Sequence, residues 1–175
     1  MRSDGFTLIE LLVILAFLGV ILLIATPLTL ENIRRARAEN QIQTIYSNVA
    51  EARQRALQRS INYLIQVKSD SVYVYEDRNR NNTADTGEKV DVLSADGLPY
   101  KLVGTVGSST IGTTARTATA NPRGYVQPTV SMYVDKASPG ASTTEGPQEG
   151  PHNCILIDFT RVSIGKYNGT SCQVQ

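Results

Sequence analysis

The densest run of oxygen-bearing side chains in this sequence is DRNRNNTADTGE, residues 77–88. It fits the twelve-residue calcium-loop template, in which positions 1, 3, 5, 7, 9 and 12 supply the oxygen ligands that a hard cation prefers. The residues at these positions are Asp77, Asn79, Asn81, Thr83 (through its backbone carbonyl), Asp85 and Glu88. Asn82 stands where the template has glycine, and Asn tolerates the left-handed backbone conformation required there.

Two interpretations of this segment stay open. It is either a calcium site, or a long hairpin loop in which Asn and Asp side chains cap their own backbone through Asx turns. The flanking segments have the character of strands rather than helices, unlike those around most loops of this template, which favours the plain hairpin loop. The sequence therefore predicts no cofactor, with calcium as the alternative.

The two cysteines, Cys154 and Cys172, lie near the C-terminus. A disulfide between them would close a loop of about 18 residues and contribute roughly 3 kcal/mol in the chain-entropy description. They lack the C-x-x-C spacing of redox-active pairs, so a structural bond in an oxidising compartment is expected. A zinc site would need more ligands than these thiols and His152 supply.

Catalytic patterns are missing from the sequence. It has no G-x-S-x-G, no phosphate-binding loop, and a single histidine, His152, in a segment rich in Pro and Gly where nothing predicts its orientation. We therefore do not expect the chain to be an enzyme.

The N-terminal segment that precedes these residues is apolar. Residues 11–30 carry no charge, and twenty helical residues extend about 30 Å, enough to cross the hydrocarbon core of a bilayer. Pro27 lies inside this helical pattern and predicts a kink. Glu10 lies just before this uncharged segment. Burying its carboxylate in hydrocarbon would cost about 2.5–3.5 kcal/mol, although the helix dipole favours a carboxylate in the first helical turn.

The word GFTLIELL at residues 5–12 resembles the class III signal of type IV pilins and of the pseudopilins of type II secretion systems. The resemblance implies that a prepilin peptidase cleaves between Gly5 and Phe6 and methylates the amino group of Phe6. It also implies that Glu10 neutralises the N-terminal amine of a neighbouring subunit in a filament.

The rest of the chain is read as one amphipathic helix followed by strands. The helix continues to Arg59, with an apolar stripe at three- and four-residue spacing formed by Ile42, Ile45, Tyr46, Val49, Ala52, Ala56 and Leu57. Short β-branched and aromatic segments then predict strands: INYLIQV, SVYVYE, KVDVLS, YKLVGTV, TVSMYVD and CILIDF. GSSTIGTTARTATANPRG and KASPGASTTEGPQEGPHN are predicted to be exposed, mobile loops.

These segments define the expected fold and domains. The fold class is α+β, a pilin-like fold in which a long kinked N-terminal helix packs on a mainly antiparallel β-sheet domain. Residues 1–5 would be the leader peptide, 6–30 the transmembrane or filament-core half of the helix, 31–59 its amphipathic half, and 60–175 a periplasmic or extracellular β-domain. NPRGYVQPTVSMYV and CILIDFTRVSIGKYNGTSC resemble the GspH/FimT branch, which usually has Gly-Arg where this chain has Thr160-Arg161.

The resemblance implies a minor pilin or pseudopilin in a type II secretion pseudopilus or a type IV pilus. Its partners would be other pilins or pseudopilins, the prepilin peptidase and the bacterial inner membrane, crossed once. One alternative is a type IV pilus minor pilin with a role in adhesion or DNA uptake, for which the cations Arg116, Arg123, Lys136, Arg161 and Lys166 are scattered in sequence. Another is an anchored binding module that never polymerises.

Overall fold

The structure is a computed structural model that describes residues 7–174, apart from the side chains of residues 22–29. The chain divides into two compact units, residues 1–35 and residues 36–175. In the second unit, one face of a helix and the inner faces of the strands form a continuous apolar core.

The helix α1 comprises Leu8–Arg59. Thr7 precedes its first turn and accepts a hydrogen bond from the backbone N–H of Glu10 through its side-chain oxygen, at 3.3 Å, as N-terminal capping residues do. After Arg59 the backbone of Ser60 turns to a φ of 55°, which ends the helix. Among the described residues, no helical stretch is both long and apolar enough to cross a bilayer.

The helical assignment runs through Pro27 without interruption. The kink expected there stays a prediction, because the side chain of Pro27 lies outside the described part of the chain.

The buried face of α1 in the second unit has the spacing that the sequence predicted. Most of the predicted stripe is fully buried, but its members Tyr46 and Leu57 are exposed. Both lie beside the buried part of the stripe on the helix surface, where a three-or-four spacing alone does not decide burial. The buried helix residues are Ala38, Ile42, Ile45, Val49, Ala52 and Ala56.

Ten strands follow α1 in the described part of the chain, and all their pairings are antiparallel. They form a four-stranded sheet of order β2-β1-β5-β6 and a six-stranded sheet of order β10-β9-β8-β7-β3-β4. Their bounds are β1 Tyr63–Val67, β2 Val72–Glu76, β3 Leu102–Val106, β4 Ser109–Thr110, β5 Arg116–Ala120, β6 Val126–Gln127, β7 Val130–Val134, β8 Cys154–Ile157, β9 Val162–Tyr167 and β10 Cys172–Val174.

The expected fold class, an α+β pilin-like fold with one mainly antiparallel sheet packed on a long kinked helix, is therefore wrong. Two antiparallel sheets are present and dominate the second unit. The segment GSSTIGTTARTATANPRG was also predicted to be a loop, but it supplies β4 at the edge of the six-stranded sheet and β5 in the four-stranded sheet. Strand β5 pairs along its whole length with β1, and its threonines suit a pleated sheet as well as they suit a loop.

One further strand prediction fails in the second unit. KVDVLS was predicted to be a strand, but residues Asp91–Leu93 form a 3-10 turn, and a second such turn covers Thr86–Glu88. KASPGASTTEGPQEGPHN was predicted to be exposed, and half of its residues are exposed; its predicted mobility stays a prediction, and the segment is held to the fully buried Asp135. The carboxylate of Asp135 accepts the backbone N–H groups of Ala137, Glu145 and Gly146 at 2.8, 2.8 and 3.0 Å.

Candidate functional site

Glu10 lies in the first turn of α1. The unpaired N–H groups of a helix start carry partial positive charge, so a carboxylate is favoured at this position. Gly5 and Phe6, the residues of the predicted cleavage site, lie outside the described residues.

Apolar side chains surround Glu10 and continue beyond it. They are exposed within the chain: Leu8 keeps 78% and Phe17 67% of its accessible surface. An apolar surface of this extent is unusual on a soluble monomer and normally contacts lipid or another protein. The exposed residues are Leu8, Ile9, Leu11, Leu12, Val13, Ile14, Leu15, Phe17, Leu18, Val20 and Ile21.

The acidic loop, residues 77–88, follows β2 and ends in the 3-10 turn Thr86–Glu88. Its asparagines form successive Asx turns: the N–H of Asn81 donates to Asn79 Oδ1 at 3.0 Å, and the N–H of Thr83 donates to Asn81 Oδ1 at 2.8 Å. Asn82 has a φ of 55°, so the left-handed conformation expected at this position is confirmed.

Asp77 begins the acidic loop and is fully buried. Its Oδ1 accepts the N–H of Asn81 at 2.9 Å, and its Oδ2 accepts the N–H of Asn82 at 3.3 Å. The side chain of the first residue is therefore turned back into the loop that follows it.

Glu88 ends the acidic loop and keeps only 8% of its accessible surface. Its Oε1 accepts the N–H groups of Arg78 and Asn79 at 2.9 and 3.1 Å, which draws the two ends of the loop together. Its Oε2 is buried and has no hydrogen-bond partner among the described residues. Half of this carboxylate is thus left unsatisfied in the interior.

Asp85 accepts hydrogen bonds from three neighbouring side chains of the loop. Asn79 Nδ2 and Asn81 Nδ2 each lie 2.9 Å from its Oδ2, and Thr83 Oγ1 lies 3.3 Å from its Oδ1. These bonds, that from Asn79 foremost, lower the pKa of Asp85 below its ordinary value. The carboxylate therefore stays ionised at neutral pH.

Within the described residues, no three His, Cys, Asp or Glu side chains gather into a metal-binding cluster. His152, for which the sequence offered no partner, lies with its Nδ1 3.0 Å from Glu39 Oε1 on α1. Such a pairing between distant segments carries no local sequence signal.

A disulfide joins Cys154 on β8 to Cys172 on β10, as expected from the sequence. The two strands are not neighbours, because β9 lies between them. Strands two apart in a flat sheet are separated by about 10 Å, whereas the Cα atoms of the two cysteines are 5.8 Å apart. The sheet must therefore curl at β9, where a Cβ on Gly165 would overlap the carbonyl oxygen of Gln173.

A groove of about 730 Å³ runs along α1 in the second unit. It brings Arg161 beside the helix cations Arg53 and Arg55, a proximity that the sequence did not predict. Two of these charges are already engaged: Arg53 Nε donates to the carbonyl of Gly124 at 2.6 Å, and Arg55 pairs with Glu51 at 2.6 Å.

The remaining cations proposed for DNA binding, Arg116, Arg123, Lys136 and Lys166, do not line this groove. Lys136 lies 3.7 Å from Glu149, and Arg116 donates to the carbonyl of Thr110 at 3.3 Å. Nucleic-acid binding stays a prediction.

Comparison with known proteins returned no relative. No protein-family model matches the chain, and no curated protein or solved structure is significantly similar to it.

Proposed function

We propose that this chain is a minor pilin or pseudopilin: a structural subunit of a type II secretion pseudopilus or a type IV pilus, anchored in the bacterial inner membrane until a prepilin peptidase cleaves it between Gly5 and Phe6. The second unit would then lie in the periplasm or on an extracellular filament. The proposal rests on the resemblance of GFTLIELL to the class III signal and on the surface of the helix that follows it.

The observation that carries the proposal is the exposed apolar surface of α1 with one carboxylate at its start. The apolar residues between Leu8 and Ile21 face outward on all sides of the helix, which is typical of a helix surrounded by lipid or by other apolar helices. A filament core and a bilayer both provide an apolar environment for these side chains. The same segment would therefore anchor the chain first and pack against other helices afterwards.

Glu10 gives this surface a polar element for registration. In an apolar helix bundle an unpaired carboxylate is costly, while an opposite charge placed beside it offsets much of that cost. Cleavage before Phe6 would create such a charge, an amino group, close to Glu10 in sequence. A neighbouring subunit that supplies this amine would be held at one axial position.

The mass of the mature N-terminus tests the proposal. The full-length chain is expressed with and without a prepilin peptidase and its N-terminal peptide is analysed by mass spectrometry. We expect a peptide that begins at Phe6 and carries one added methyl group only when the peptidase is present. Gly5→Leu is the matched control, because it alters the cleavage site and leaves the described residues unchanged, and it should retain the leader.

The same experiment separates the rival function. An anchored binding module that never polymerises has no use for this processing, so it predicts an intact leader in both samples. An unprocessed wild-type chain in the presence of an active peptidase, shown active on a known prepilin in the same cells, would reject the proposed function.

A further inference from the structure

We propose that the acidic loop, residues 77–88, binds one calcium ion, with Asp77 and Glu88 as its charged ligands at the two ends and the amide and carbonyl oxygens of Asn79, Asn81 and Thr83 between them. This proposal goes beyond the proposed function and does not depend on it, because the loop lies in the second unit and its test makes no use of processing or assembly.

The unsatisfied oxygen of Glu88 points to a missing partner. A buried carboxylate is costly unless it is hydrogen-bonded or paired with a cation. Oε1 of Glu88 is held by the N–H groups of Arg78 and Asn79, yet Oε2 has no partner. Among the described residues neither Glu88 nor the fully buried Asp77 takes part in a salt bridge. A cation bound here would satisfy the free oxygen and neutralise both charges.

The backbone of the loop already holds these two carboxylates. Asp77 accepts the N–H groups of Asn81 and Asn82, residues that follow it in the loop. Glu88 accepts N–H groups from the loop's first residues after Asp77. Hydrogen bonds therefore hold the carboxylates at the first and twelfth positions before an ion binds: Asp77 to Asn82, five residues apart, and Glu88 to Arg78, ten residues apart. This order lowers the conformational entropy lost on binding.

The intervening residues supply neutral oxygen atoms. The side-chain oxygens of Asn79 and Asn81 are kept within the loop by the N–H groups of Asn81 and Thr83. The template's seventh position uses a backbone carbonyl, here that of Thr83. Asp85 stands at the ninth position, which often reaches the ion through water.

The donor set selects the class of ion. The loop offers oxygen atoms and neither thiolate nor imidazole, which disfavours zinc and copper and favours a hard divalent cation. Several protein oxygens on a loop suit Ca²⁺, which accepts six to eight ligands in flexible geometry. Mg²⁺ demands a stricter octahedron and keeps several waters. We expect Ca²⁺ to bind with a Kd of about 10⁻⁴ to 10⁻³ M, as in extracellular modules.

Calorimetric titration of the full-length chain in detergent micelles, freed of metal by a chelator, tests the site. On titration with calcium chloride, one Ca²⁺ should bind per chain. On titration with magnesium chloride, the affinity for Mg²⁺ should be lower by about tenfold or more. Glu88→Gln keeps an acceptor for the two N–H groups but removes the charge, and should weaken calcium binding about tenfold or more. Asp91→Asn is the matched control, since Asp91 is an exposed carboxylate just beyond the loop. This variant should bind calcium with the affinity of the wild type.

Circular dichroism and thermal unfolding confirm that each variant is folded. If Glu88→Gln does not fold, Asp85→Asn is measured instead, because Asp85 lies nearer the surface. A severalfold weaker calcium affinity of this variant supports the site, and an unchanged calcium affinity overturns it. The proposal is also overturned if the folded wild type takes up no calcium at millimolar concentration, or if Glu88→Gln and Asp91→Asn bind it equally.

Discussion

Gln41 and Tyr100 exchange two hydrogen bonds across the second unit. Gln41 Nε2 donates to the carbonyl oxygen of Tyr100 at 2.9 Å, and the N–H of Tyr100 donates to Gln41 Oε1 at 3.1 Å. Gln41 is buried on α1, and its side-chain amide has the same donor and acceptor as a neighbouring β-strand would present. The helix thereby satisfies both polar groups of one backbone residue in the segment that leads into β3.

Replacing Gln41 by Ala should lower the free energy of unfolding by about 1–3 kcal/mol, because it leaves the part-buried N–H and carbonyl of Tyr100 without these partners. Chemical denaturation of the full-length chain in detergent measures this change. Gln43→Ala is the matched control: Gln43 is exposed two residues away on the same helix, and its replacement should change stability by less than about 0.5 kcal/mol. Equal effects of the two variants would contradict the role assigned to Gln41.

Glu76 on β2 predicts a dependence of stability on acid pH. Burial raises the pKa of Glu76, but hydrogen bonds from Arg59 and Arg78 outweigh this effect and leave the pKa below its ordinary value. Arg59 Nη1 lies 2.7 Å and Arg78 Nη2 3.2 Å from the carboxylate. Since the folded pKa is depressed, the stabilisation is present above the unfolded pKa of about 4.3 and is lost as pH falls through the folded value.

We therefore expect Glu76→Gln to be less stable than the wild type by about 1–3 kcal/mol at pH 7, with the difference shrinking below about pH 4. Urea denaturation at several pH values measures it. Glu51→Gln, which removes an exposed carboxylate paired with Arg55 one helical turn away, should cost only about 0.3–0.5 kcal/mol. A constant difference between wild type and Glu76→Gln from pH 7 to pH 3 would contradict the assignment.

The disulfide should contribute roughly 3 kcal/mol of stability, from the loop of about 18 residues that it closes. Denaturant midpoints of the wild type, measured with and without a reductant, give this value. The double variant C154A/C172A should match the reduced wild type, apart from the cost of shortening the buried Cys154, and should not respond to the reductant. A wild-type midpoint that ignores complete reduction of the thiols would contradict the stabilising role.

Local sequence patterns predicted the parts of this chain that depend on local physics. The helix to Arg59 and the buried stripe from Ile42 to Ala56 followed from apolar spacing, and the left-handed Asn82 followed from residue type. The division into two sheets did not follow from them, and neither did β5, a polar, Thr-rich strand that pairs with β1 and β6 in the four-stranded sheet. The pairs Gln41 with Tyr100 and His152 with Glu39 join residues far apart in sequence and have no local signal either.

The acidic loop shows the same division. Its ligand-type residues and their spacing were readable in the sequence, and two interpretations remained open there. The free Oε2 of Glu88, on which the proposed calcium site rests, depends on how the ends of the loop are buried in the second unit, and no spacing rule reports that.

Glu10 should matter for assembly and not for anchoring. Removing the charge in Glu10→Ala lowers the free-energy cost of inserting the segment into a bilayer by up to about 2.5–3.5 kcal/mol. Membrane fractionation should therefore find the variant fully anchored. In a filament the amine of Phe6 on a neighbour would then lack its partner, and incorporation should fall about a hundredfold or more, since breaking a buried charge pair costs about 3–5 kcal/mol. Glu31→Ala, which removes a surface carboxylate near Arg35 on the same helix, is the matched control and should incorporate normally. Quantitative immunoblotting of sheared filaments measures both variants, and Glu10→Ala present at the wild-type level would show that no such charge pair holds the subunits together.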